Sequence, residues 1–171
     1  IDNLHIDTET ICAGNSAVTA RCYYGDSIDE MLIKCYLQRD EHSRFLYGSM
    51  YYDNELAIFS PNGVVEYIDI AFSRWVEGKA LSECIADRRS DFKALSSRFD
   101  AFAYSLMYEP LVHCDIKPDN IIVRYDGEMM LVDNDALWSE SFDHGQRREF
   151  GTAGFRDVHS TIYTPVEYSK N

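Results

Sequence analysis

Apolar positions follow two different rhythms along the chain. From Val18 to about residue 76 they come in short β-rich runs separated by turn residues. Val18 to Tyr24, the turn chemistry of Gly25-Asp26-Ser27, and Met31 to Tyr36 predict a hairpin. Leu56 to Phe59, the tetrapeptide Ser60-Pro61-Asn62-Gly63, and Val64 to Val76 predict another. Residues 37–53 are polar and leave room for one short helix over His42 to Met50. After Gly78 the period lengthens. Ala80 to Asp87 reads as a short helix. Phe92, Leu95, Phe99, Phe102 and Leu106 then recur at steps of 3, 4, 3 and 4, which predicts an amphipathic helix capped by Ser90 or Asp91 and ended by Pro110. Ile121 to Tyr125 and Met129 to Val132 flank Asp126-Gly127 and predict a third hairpin with a type I′ turn. The tail from Trp138 is irregular, punctuated by Gly145, Gly151 and Gly154. Sheet first, helices second and a small hairpin third is the order of an α+β fold with a β-rich and a helical lobe, the boundary falling near residues 76–80.

Composition narrows the function classes. Sixteen Lys and Arg against 29 Asp and Glu give the 171 residues a formal net charge of −13. Such a chain does not coat nucleic acid or anionic lipid through a general positive field. Hydrophobic residues make up 46%, enough for a real core in one domain or a compact two-lobed one. No apolar run approaches the roughly 18 residues of a membrane span. Residues 1–5 show neither the basic leader nor the apolar core of a secretory signal, and the chain lacks an initiator Met, as a processed form or a piece of a longer protein would. The five cysteines, Cys12, Cys22, Cys35, Cys84 and Cys114, are odd in number and contain no C-x-x-C pair. Free thiols in a reducing, cytoplasmic compartment are the expectation.

The candidate chemistry lies at residues 113–120, His-Cys-Asp-Ile-Lys-Pro-Asp-Asn, in the loop between the long helix and the third hairpin. Asp115 and Asn120 are five positions apart, and Asp133 lies 18 beyond Asp115 at the end of the returning strand. A tight hairpin brings Asp133 back beside Asn120 and Asp115. Two carboxylates and an amide converging with Lys117 offer oxygen ligands for a hard ion such as Mg²⁺, a carboxylate base, and a cation to neutralise phosphate charge. The plainer reading is that Asp115 and Asn120 cap a turn around Pro118.

This segment resembles the catalytic loop of eukaryotic-like protein kinases, H-R-D-L-K-P-E-N, with Cys114 in place of the Arg. The resemblance implies a bilobal fold with an N-lobe over residues 1–76 and a reduced C-lobe over residues 77–171. It implies ATP and Mg²⁺ as cofactors, Asp115 and Lys117 as catalytic residues, and Asn120 and Asp133 as metal ligands. Met31-Leu32-Ile33-Lys34 is similar to the family's V-A-I-K strand, which makes Lys34 a phosphate contact. Phe72 to Gly78 is similar to the stretch joining the lobes, with Ser73 as gatekeeper and the backbone of Arg74 and Val76 facing adenine. Val132-Asp133-Asn134-Asp135 stands at the D-F-G position. Gly151-Thr152-Ala153-Gly154-Phe155 resembles the G-T-x-G-[FY] segment, whose Thr152 would help seat a Ser/Thr protein substrate.

Other features depart from the pattern. The phosphate-covering loop offers only Gly14, in Gly14-Asn15-Ser16-Ala17. A Glu partner for Lys34 is poorly specified, with Glu41 and Glu55 as the available residues. No A-P-E follows Phe155; the chain reads Arg156-Asp157-Val158. The resemblance covers about residues 10–157. It favours a Ser/Thr-type phosphotransferase acting on a hydroxyl, with a protein substrate. A nucleotide-binding module without transfer, or a small-molecule kinase, are the alternatives.

Overall fold

The structure is a computed structural model and describes residues 3–14, 16–27, 29–109, 111–139 and 151–155. The expected terminator Pro110, Gly145 and the stretch Arg156-Asp157-Val158 lie outside them. The described residues are mixed α and β, as expected of an α+β chain, with a five-stranded antiparallel sheet and few helices. The chain divides into two compact units, Ile1–Trp75 and Val76–Asn171.

The first unit is built on the sheet. β1 (Leu4–Ala13), β2 (Ala17–Tyr24), β3 (Met31–Tyr36), β5 (Val65–Arg74) and β4 (Tyr51–Phe59) lie in that spatial order. Alternation sorts their side chains onto two faces. Ala20, Cys22, Ile33, Ile70 and Phe72 form one buried cluster. Ala17, Tyr36, Tyr51 and Ala71 form the other, against Tyr47 of helix α1 (Glu41–Tyr47). Lys34 pairs directly with Ala71 across β3 and β5, so it shares this second face and is buried. Asp40 caps α1 by accepting from the His42 N–H at 3.1 Å and the Ser43 hydroxyl at 2.7 Å. The helix and the 3-10 turn Gly48–Met50 that follows it fill the short helix expected over His42 to Met50.

β1 was not expected. Its polar sequence shows little alternation because it is an edge strand, mostly exposed, with its register broken between Asp7 and Cys12. The first half of β4 was equally hidden. Its register shifts between Tyr52 and Leu56, where Asn54 takes a left-handed φ of 50°. The buried Asp69 carboxylate holds that bulge, accepting from the Asn54 N–H and from the Tyr51 hydroxyl, each at 2.8 Å.

The second unit has less regular structure. β6 (Lys79–Ala80), β7 (Ile121–Val123) and β8 (Met129–Leu131) form a three-stranded sheet beside α2 (Leu81–Ala86) and α3 (Phe92–Leu106). Asp91 is the α3 cap, accepting from the Lys93 and Ala94 N–H groups at 3.1 Å. One expectation is corrected here. The turn joining β7 to β8 is not type I′. Gly127 has φ 87° but Asp126 is not left-handed, and Gly127 N–H donates to the Arg124 carbonyl at 2.8 Å. This is a type I turn closed by a left-handed glycine, the usual three-residue hairpin loop. The apolar stripe of α3 is partly exposed. No α3 residue is fully buried. Phe92, Leu95 and Phe99 instead line an open groove of about 380 Å³ with Leu81, Ile116 and Phe155.

Candidate active site

The loop of candidate residues is clamped at both ends. On one side Val112 exchanges two backbone hydrogen bonds with Trp138, at 2.9 and 2.8 Å, and Cys114 packs against both. On the other, Pro118–Asn120 forms a 3-10 turn leading into β7, and the Asn120 carbonyl accepts from the Val132 N–H at 2.9 Å. His113 Nε2 lies 2.9 Å from the Val132 carbonyl, so it is the protonated nitrogen. That bond ties the loop to the residue before Asp133. Burial holds the His113 pKa below its ordinary value, against the opposing pull of the Val132 carbonyl and the charges of Asp133 and Asp115. The ring therefore sits neutral near pH 7. The sequence assigns this histidine no role; its position two residues before Asp115 is the only signal it carries.

Two residues of this region take left-handed backbone conformations without being glycine. Cys114 has φ 61°, and Asp133 has φ 63° and ψ 61°. Each costs of the order of 1 kcal/mol or more and persists only where the surroundings over-determine it. Here the clamps at Val112–Trp138 and His113–Val132 do so.

The Asp115 carboxylate is the centre of the arrangement. Oδ1 accepts from Thr152 twice, from its N–H at 2.9 Å and its hydroxyl at 2.7 Å. Oδ2 accepts from Asn120 Nδ2 and from Lys117 Nζ, both at 3.0 Å. Lys117 Nζ also donates to Thr152 Oγ1 at 3.2 Å. Partial burial pushes the Asp115 pKa up, but the hydrogen bonds and charge from Thr152 and Lys117 outweigh it and hold the carboxyl below its ordinary range. Four of the expected site residues, Asp115, Lys117, Asn120 and Thr152, thus form one hydrogen-bonded cluster within the second unit.

The donor set can be tested against a magnesium ion. The Asn120 side chain gives its Nδ2 to Asp115, to the carbonyl at 2.9 Å as well as to Oδ2. That fixes the amide orientation and leaves Oδ1 without a hydrogen-bond partner among the described residues, as an atom that could accept an ion. No group of three or more His, Cys, Asp or Glu among the described residues could hold a metal by itself. Mg²⁺ bound to a nucleotide needs no such cage, because one or two protein oxygens and the phosphates suffice. Asn120 Oδ1 and the Asp133 carboxylate, two residues past β8, fit that requirement.

The remaining expected residues are described within their own units. Lys34 is buried on β3. Gly14 lies in the β1–β2 turn, where its N–H donates to the Ala17 carbonyl at 2.9 Å and an added Cβ would approach that oxygen to 3.3 Å. Arg74 ends β5 with an exposed side chain, and Val76 opens the second unit half-buried. Glu41 is exposed and engaged by Arg39 at 2.8 Å, and Glu55 is exposed on β4. No family model matches the chain, and comparison with curated proteins gives no match.

Proposed function

We propose that the chain is a protein-kinase-like phosphotransferase that moves the γ-phosphoryl of Mg-ATP to a hydroxyl of the Ser/Thr type. The observation that carries this reading is the Asp115 cluster. A carboxylate kept ionised, a lysine 3.0 Å from it, and an amide oriented by it supply a proton acceptor, a cation and an ion ligand on one short loop. In transfer, Asp115 takes the proton of the attacking hydroxyl and Lys117 neutralises charge developing on the phosphoryl oxygens. Asn120 and Asp133 would hold the magnesium, which when bound neutralises the nucleotide's phosphates. Lys34, Gly14 and the backbone of Arg74 and Val76 are the proposed nucleotide contacts. An antiparallel sheet followed by helices and a small hairpin supports reading the fold as bilobal with a reduced C-lobe. A protein substrate and a cytoplasmic setting belong to the same proposal.

One observation favours a second reading. All four lone-pair positions of Asp115 are already filled, as in a module that binds nucleotide without transferring phosphate. Two measurements on the same protein separate the readings. Thermal stabilisation by ATP that requires Mg²⁺, together with formation of ADP, is the expected result. Stabilisation with no ADP formed, with protein acceptors present, would establish the binding module instead.

A further inference from the structure

The sheet of the first unit ends in β1 on one side and β4 on the other. An edge strand offers backbone N–H and C=O groups to any strand that reaches it, and edges are ordinarily blunted by bulges, proline or lysine. β1 is blunted: its register breaks between Asp7 and Cys12, and Arg21 engages Asp7. β4 is blunted only in its first half, by the bulge at Asn54. Beyond it, residues 56–59 pair regularly with residues 65–68 and contain neither proline nor lysine. Among the described residues no strand lies on their other side.

The register sorts this stretch into two unlike faces. Phe59 opposite Val65 and Ala57 opposite Tyr67 make one face, where Phe59 is 75% and Tyr67 63% exposed. Ile58 opposite Glu66 belongs to the other face, and Glu66 is exposed. The charge here has one sign. From Phe45 to Ser73 the chain carries Asp53, Glu55, Glu66 and Asp69 and no lysine or arginine. Asp69 is buried and Asp53 is engaged by Arg44 at 3.0 Å, so Glu66 is the exposed charge beside the regular part of the edge.

We propose that residues 56–59 of β4 are a docking edge for an extended segment of another protein, apolar at every second position and basic at the positions between. Bound as an added strand, the segment lays its apolar side chains on Phe59 and Tyr67 and its lysine or arginine side chains on the face of Glu66, while its backbone extends the ladder. Charge decides against a second copy as the occupant. Two chains of net charge −13 paired through the same edge would bring like charges together. The edge lies wholly within the first unit, so the proposal stands apart from the phosphotransferase reading.

The test uses the full chain and, as probe, a capped peptide of about ten residues alternating valine with lysine, long enough to span the open edge. Binding is followed by fluorescence anisotropy and located by amide hydrogen exchange. Saturable binding is expected, with slower exchange at residues 56–59 and unchanged exchange in β1. Glu66→Lys should weaken binding about fivefold, as loss and reversal of a surface charge does, and reduce its salt dependence. Phe59→Ser should weaken it about tenfold through lost apolar contact. Both side chains are exposed, and circular dichroism checks that both variants fold. A peptide with glutamate in place of lysine should not bind. Equal affinity for that peptide would overturn the proposal, as would protection appearing in β1 or outside the sheet, or no binding at millimolar peptide. Protection of residues 56–59 that rises with the concentration of the chain alone, and is lost in Phe59→Ser, would make the occupant a second copy and overturn it as well.

Discussion

In the first unit, five neighbouring strands pair in antiparallel ladders and two buried clusters occupy the two faces of their sheet. In the second, the strands are only two or three residues long, and the segments that matter are held by single contacts. These are the Val112–Trp138 bridge, the His113 bond to Val132, and the four donors on Asp115. Repetitive backbone pairing spreads stability over many residues, so no one side chain decides the outcome except in the core. Point contacts concentrate it. The second architecture suits chemistry, because a carboxylate can be aimed by a few dedicated partners while strained residues such as Asp133 are held in place.

The comparison is sharpest at Asp115. Asp115→Asn keeps the shape and one acceptor oxygen but removes the proposed base, and under the proposed function transfer should fall by a factor of about 10²–10⁴. Amide hydrogen exchange over β1–β5 should stay as in the wild type. A variant that transfers phosphate as fast as wild type would show that the base lies elsewhere. Widespread loss of protection in the first unit would show that the two units are not held independently.

The converse change is in the sheet. Ile33 is 1% exposed at the centre of its cluster. Ile33→Ala should cost about 2–5 kcal/mol, the range for truncating a buried aliphatic side chain with little relaxation. The loss should be read as faster exchange across β2, β3 and β5. A cost below about 1 kcal/mol would mean that this cluster is not where the unit's stability resides.

Gly78 probes the second unit without touching its chemistry. Its φ is 154°, and a Cβ there would collide with the Val123 carbonyl and the Ile122 side chain, because β6 must run close against β7. Gly78→Ala should cost about 1–3 kcal/mol, as overpacking against backbone does. Thermal unfolding of this variant beside Ile33→Ala would show whether a point contact can matter as much as a core residue. A wild-type melting temperature would refute the close approach.

What could be read from the sequence follows the same division. Strands with regular alternation, β2, β3 and β5, and the capped helix α3 were legible because one repeating pattern covers each. β1 and the start of β4 were not. Bulges at Asp7–Cys12 and Tyr52–Leu56 break their period, and the interaction that fixes the second bulge, Asp69 with Asn54, spans 15 residues. The candidate loop was legible because its residues are contiguous. The contact of Thr152 with Asp115, across 37 residues, was suggested only by the family resemblance. Nothing in the pattern marked His113 as the tie to Val132, since one buried histidine carries no period.

The smallest expected effect is on pH dependence, which should differ in sign between the units. In the first, burial raises the Cys22 thiol to about 11 from 9.0, and Cys35 is raised for the same reason. The unfolded chain ionises these thiols earlier than the folded one, so their contribution is intact below pH 9 and is lost as pH rises from there toward 11. In the second unit, burial lowers His113 below its ordinary 6.5. The unfolded histidine takes up its proton first, so stability is intact above pH 6.5 and declines as pH falls through it. Asp115 acts in the same direction further down. Its contribution is present above 3.8 and disappears as pH drops through its depressed native value. Partly exposed surface pairs such as Asp7 with Arg21 add an acid-side contribution in the first unit, but about 0.5 M salt weakens them. Hydrogen exchange at that salt, corrected for intrinsic rates, should therefore show the β1–β5 amides losing protection first on the alkaline side. Amides of residues 112–123 should lose it first on the acid side. His113→Gln, which removes the titrating ring, should flatten the decline that begins as pH falls below 6.5. An acid limit that stays put in that variant would take His113 out of the account and leave Asp115 alone to explain it.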